Sequence, residues 1–137
     1  MRRLVKEFTS QLTEALEIGN SANLTAPKNT IHNIVITGLG GSGIGGKIAT
    51  QLVADQLKIP AVINNDYRLP TFVNENTLVI VSSFSGNTEE TLEALEAAQK
   101  ANAEIACITA GGKLAQIAKD NNYNLLVLPT AFSPRAM

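Results

Sequence analysis

At 137 residues the chain is long enough for one domain with a buried core and too short for two full ones. Its 45% hydrophobic and 17% charged residues are those of an ordinary globular protein, while a net charge of -1, 4% aromatic residues and no Trp offer nucleic acid neither a basic surface nor stacking groups. The single Cys107 excludes an internal disulfide and, with the single His32, cannot by itself complete a Cys/His zinc site; the reading reached below calls for no metal and no cofactor.

In chain order, Leu4, Phe8, Leu12 and Leu16 recur at helical spacing and predict an amphipathic helix over about residues 1–20, ending near Gly19. Lys6, Glu7 and Gln11 interrupt any signal-peptide core, and no run is long enough to span a bilayer. A cytoplasmic chain with no membrane partner is the expectation. Five short apolar runs follow: "NIVITG" from Asn33, "PAVINN" from Pro60, "TLVIVSS" from Thr77, "AEIACITA" from Ala103 and "YNLLVLP" from Tyr123. Their near-continuous apolar character is that of strands buried on both faces of a parallel sheet. Helical patterns separate them at Ile48, Leu52 and Val53, at Leu92, Leu95 and Ala98, and at Leu114, Ile117 and Ala118. The link "NNDYRLPTFVNEN" is polar, contains Pro70 and predicts a turn or short helix.

This alternation predicts an α/β fold, a three-layer α-β-α sandwich around a five-stranded parallel sheet of order 2-1-3-4-5, flavodoxin-like in its winding. The sheet domain is expected over about residues 31–129. After Leu128, where another helix would normally return over the sheet, only "PTAFSPRAM" remains, so the 130–137 tail is read as stopping short of further structure.

In this topology the loops after strands one and three face one crevice at the winding reversal. They are "GLGGSGIGGK" and "SSFSGNTEET". The first matches G-x-G-x-x-G at Gly38, Gly40 and Gly43, with Asp66 near the end of strand two as the acidic partner of a dinucleotide site. It also matches most of a nucleotide phosphate loop at Gly41, Gly46 and Lys47, but Ile48 stands where Ser or Thr should hold magnesium. Alternatively, the glycines simply let the strand-helix turn pack closely. The second loop offers Ser82, Ser83, Ser85, Asn87 and Thr88, a turn at Gly86, and a helix start at about Asn87 with Glu90 as its capping-box partner. Hydroxyls and backbone N–H groups at a helix N-terminus favour an anion, and with no Lys or Arg in the loop a phosphate monoester fits best. The turn is similar to the flavodoxin phosphate loop, but it follows the third strand and few aromatics are available to sandwich a flavin.

Together, "GLGGSGIGGK", "NDYRLP", "LVIVSSFSGNTEETL", "ITAGGKL" and "LPTAFSPRA" resemble the sugar-isomerase (SIS) domain of the bifunctional phosphoglucose/phosphomannose isomerases over nearly the whole chain. The resemblance implies an N-terminal SIS domain that binds a hexose 6-phosphate while a proton moves between C1 and C2 through a cis-enediol. It implies that Ser83, Ser85 and Thr88 grip the phosphate, that Gly41 and Ser42 line the sugar near the reacting carbons, and that Arg135 stabilises the enediolate. The general base and ring-opening residues of that family lie in a second SIS domain or beyond, and the complete enzyme is a homodimer. Read alone, the 137 residues are therefore expected to bind substrate without turning it over. Glu89 and Glu90, in the first turn of a helix, suit capping rather than catalysis. His32 is expected at the surface and Cys107 in the core. Two other readings remain open, a noncatalytic phosphosugar-sensing SIS module and a nicotinamide-dependent Rossmann enzyme.

Overall fold

The computed structural model of the chain describes residues 2–130. The five apolar runs form strands β1 (Asn33–Thr37), β2 (Ala61–Asn64), β3 (Thr77–Ser82), β4 (Glu104–Thr109) and β5 (Asn124–Val127). All neighbouring pairs are parallel, and the order is β2-β1-β3-β4-β5, as the alternation predicted. Helices α1 (Arg2–Ser21), α2 (Gly41–Leu52), α3 (Glu89–Lys100) and α4 (Gly112–Asp120) complete the fold. None of the helices described is long and apolar enough to cross a membrane.

The in-register pairs assign each side chain to a face. Val35, Val79 and Ile105 form one row across β1, β3 and β4, and Thr37, Val81, Cys107 and Leu125 form the next row on the same face. Onto these rows α3 and α4 lay Leu95, Ala98, Leu114 and Ala118, and the resulting cluster is almost fully buried. Each fully buried Leu contributes about 2–3 kcal/mol from desolvation. The polar link after β2 forms turns and no helix, yet it sends Leu69 and Val73 into the same core. On the other face α2 packs so closely that a Cβ at Gly46 would lie 2.7 Å from Ile36 Cγ2.

The outer helices are less covered than the central ones. In α1, Phe8, Leu12 and Leu16 are 56%, 50% and 68% exposed, and in α2, Ile44, Ile48 and Leu52 are 61%, 52% and 76% exposed. The periodicity of α1 thus forms a helix, but its apolar stripe points to solvent. Beyond α1, residues 22–30 brace the strand N-termini: Thr25 N–H donates to Asn124 Oδ1 (2.8 Å), Lys28 N–H to Glu104 Oε1 (2.7 Å), and Asn76 Nδ2 to Thr30 O (2.8 Å). The opposite, carboxyl end of the sheet carries the two unusual loops.

Candidate functional site

Parallel pairing brings the ends of β1 and β3 side by side, since Thr37 is in register with Val81. A Cβ on Gly38 would stand 2.8 Å from the Ser82 carbonyl oxygen, a distance that a side chain at this position does not permit. The glycine lets the two loops converge. One residue into α2, the Ser42 hydroxyl then accepts a hydrogen bond from Phe84 N–H at 3.3 Å. Gly41 opens α2 and is exposed.

Within the second loop the hydroxyls order one another. Ser83 is 3% exposed; its Oγ lies 3.0 Å from Thr88 Oγ1 and accepts from Gly86 N–H at 3.1 Å. Ser85 is exposed, and its Oγ accepts from Asn87 N–H at 3.3 Å. The structure thus gathers Ser42, Ser83 and Thr88 around Phe84, with Ser85 at the loop's exposed rim. Arg135 lies outside the described residues.

The expected capping box is corrected by the structure. Helix α3 starts at Glu89 with Thr88 as N-cap, and the Thr88 side chain makes no cap hydrogen bond. Asn87 turns away to the neighbouring helix, where its Oδ1 accepts from Lys113 N–H at 3.0 Å. Glu90 serves a different neighbour. Its hydrogen bond to the Tyr67 hydroxyl raises that group's pKa above its ordinary value, with smaller contributions from desolvation and from the Glu90, Glu89 and Glu93 charges. Tyr67 belongs to the link after β2, and a lone Tyr in a polar linker gave no signal of this pairing.

The remaining candidates separate by location. Asp66 is exposed, and one of its two carboxylate oxygens, Oδ1, accepts from Tyr67 N–H at 2.7 Å. His32 is exposed just before β1, at the far end of the sheet. Cys107 is fully buried mid-strand, and burial pushes its thiol up to about 12. Among the described residues no group of three or more His, Cys, Asp or Glu could hold a metal ion. An open groove of about 550 Å³ lies between Tyr67–Val73 and the outer side of α3, away from the serine loop.

A family model described as "SIS domain" matches residues 29–131. Among curated proteins, the bifunctional phosphoglucose/phosphomannose isomerase of Caldicellulosiruptor bescii is 44% identical over 132 residues, covering 96% of this chain and 39% of that protein. The protein of the same name from Thermoplasma acidophilum is 42% identical over 107 residues, covering 78% of this chain and 32% of its own length. The chain therefore spans well under half the length of these relatives. Among solved structures, tagatose-6-phosphate ketose/aldose isomerase from Escherichia coli superposes with a TM-score of 0.63 at 21% identity, over 99% of this chain and 40% of that one. At that identity the match speaks for the fold alone.

Proposed function

The chain belongs to the SIS domain family, and from that premise we propose that it is the sugar-phosphate-binding domain of an aldose-ketose isomerase acting on hexose 6-phosphates. The substrates are glucose 6-phosphate and mannose 6-phosphate, interconverted with fructose 6-phosphate through a cis-enediol. The observation that carries this reading is the Ser42–Phe84 hydrogen bond, which makes one crevice of the glycine loop and the serine loop.

In this reading Ser83, Ser85 and Thr88 hold the phosphate, helped by the uncapped N-terminus of α3, whose dipole favours the anion. Ser42 and the backbone at Gly41 approach the carbon chain. In the forward direction a base removes the C2 proton of the open-chain aldose, the enediol forms, and a proton returns at C1. Arg135 stabilises the enediolate charge where it develops. Neither Glu89 nor Glu90 is the base, because Glu90 pairs with Tyr67 and both open a helix on the phosphate side. The base and ring-opening groups come from a second SIS domain, in an enzyme that functions as a cytoplasmic homodimer. In support, the chain matches only 39% of the length of its relative from Caldicellulosiruptor bescii.

Thermal unfolding with added ligand tests the reading, since a ligand that binds the folded state raises the melting temperature by mass action. Fructose 6-phosphate is expected to raise it and NAD to leave it unchanged. Thr88→Val should weaken fructose 6-phosphate binding about tenfold, the cost of one hydrogen bond to a charged group. Stabilisation by NAD alone would overturn the proposal.

A further inference from the structure

The side chain of Asn87 belongs to one loop and caps a helix that belongs to another. Helix α4 has Gly111 at its N-cap and no side-chain cap of its own. Its early N–H groups are satisfied by the serine loop instead: Lys113 N–H donates to Asn87 Oδ1 at 3.0 Å and Leu114 N–H to Gly86 O at 2.9 Å. Further bonds tie the same segments, from Ala110 N–H to Phe84 O (3.0 Å) and from Ser83 N–H to Ile108 O (3.0 Å). The fit is tight in both directions. Gly86 has φ +69°, and a Cβ there would overlap the Gly111 carbonyl; Gly112 also has φ +69°, and a Cβ there would overlap the Ser85 carbonyl and lie 2.9 Å from Asn87 Oδ1.

The sequence pattern places Asn87 as the cap of the helix that follows it, but α3 starts at Glu89 with Thr88 as its N-cap, one residue beyond Asn87. The Asn87 side chain bonds to α4 instead, and so anchors the backbone between Ser85 and Thr88 to a helix outside the loop. We propose that Asn87 is a positioning residue for the phosphate-binding loop, acting through its cap on α4 and not through contact with the ligand. This rests on the phosphosugar reading above. The amide orientation follows from the partner, because only the carbonyl end of the side chain can accept from an N–H.

The experiment compares Asn87→Ala, which removes the acceptor, with Asn87→Asp, which keeps it and adds a negative charge. Amide exchange and chemical shifts of the ligand-free 137-residue chain are read by NMR, alongside binding of fructose 6-phosphate and urea unfolding. In Asn87→Ala the Lys113 amide should exchange about tenfold faster, shifts at Ser85 and Thr88 should move, and fructose 6-phosphate affinity should fall about fivefold, the equilibrium equivalent of one capping bond. In Asn87→Asp the Lys113 amide should stay protected while affinity falls through repulsion of the phosphate. That separation of protection from affinity is what a purely structural residue would not produce. Unchanged Lys113 exchange and unchanged Ser85 and Thr88 shifts in Asn87→Ala would overturn the positioning role whether or not the chain binds sugar phosphate. Unchanged affinity in Asn87→Ala, with the parent chain binding, would overturn it too. If the parent chain fails to bind while Asn87→Ala still moves the loop, the phosphosugar reading falls and the positioning of the loop stands.

Discussion

Two glycine-to-alanine substitutions of identical chemistry should change stability in opposite directions. Gly86 sits at φ +69°, where an L-residue costs about 1–2 kcal/mol. Its new Cβ would also overlap the Gly111 carbonyl and lie 2.9 Å from Thr109 Oγ1. Neither can retreat freely, because Thr109 is fully buried and its hydroxyl donates to Gly111 O at 2.9 Å. Overpacking of this kind costs about 1–3 kcal/mol more. The sum, about 2–5 kcal/mol, is a large part of a typical domain's 5–15 kcal/mol. Gly45 lies inside α2, exposed, with nothing within 4 Å of an added Cβ. Alanine there should gain about 0.5–1 kcal/mol from helix propensity and reduced chain entropy. Equilibrium urea unfolding measures both, with an unchanged m-value as the check that the surface exposed on unfolding is unaltered. A loss below about 1 kcal/mol for Gly86→Ala, or a loss for Gly45→Ala, would refute the packing argument.

Leu95→Ala removes a side chain 1% exposed at the centre of the core and should cost about 2–5 kcal/mol by the same unfolding measurement. Cys107, buried with its thiol pushed from 9.0 up to about 12, should resist a thiol reagent at pH 8 in the native protein and react at once in urea. The same shift has a definite sign in stability. Below pH 9 the thiol is protonated in both states and contributes no pH dependence; between 9 and about 12 the unfolded chain gives up a proton that the folded one keeps, so stability falls as pH rises. Replacing Cys107 by Ala should remove that part of the alkaline slope, and an identical slope in the variant would count against it.

The sheet was readable because its signal is local and redundant. β1 and β3 are runs of Ile, Val and Leu, and β4 sets Ala106 and Cys107 between two Ile residues. Their parallel order follows from the alternation with helices, and the link after β2 forms turns because Pro70 and its polar neighbours cannot sustain a long helix. The loops were readable as a pair but not in their wiring. Asn87 and Glu90 carry the spacing of a capping box, and a local rule can only connect them to their own helix. Their real partners lie on different elements: Lys113 N–H on α4, which the crossover after β4 puts beside the serine loop, and Tyr67 on the link after β2. The outward stripe of α1 was equally invisible, since periodicity defines a helix face without saying what that face meets.

The glycine loop shows how a motif can be right in spacing and wrong in meaning. G-x-G-x-x-G reads as a dinucleotide fingerprint because its glycines allow a close approach of backbone to pyrophosphate. Here the close approach is spent inside the protein. A Cβ at Gly38 would meet the Ser82 carbonyl, one at Gly43 would lie 2.6 Å from the Gly38 carbonyl oxygen and 2.9 Å from Asn65 Oδ1, and one at Gly46 would meet Ile36 on β1. These contacts press the first loop against the ends of β1, β2 and β3. The Ser42 hydroxyl consequently reaches Phe84 N–H, which ties the first loop to the serine loop. The same absence of side chains that would have admitted a nucleotide therefore closes the turn onto its own sheet.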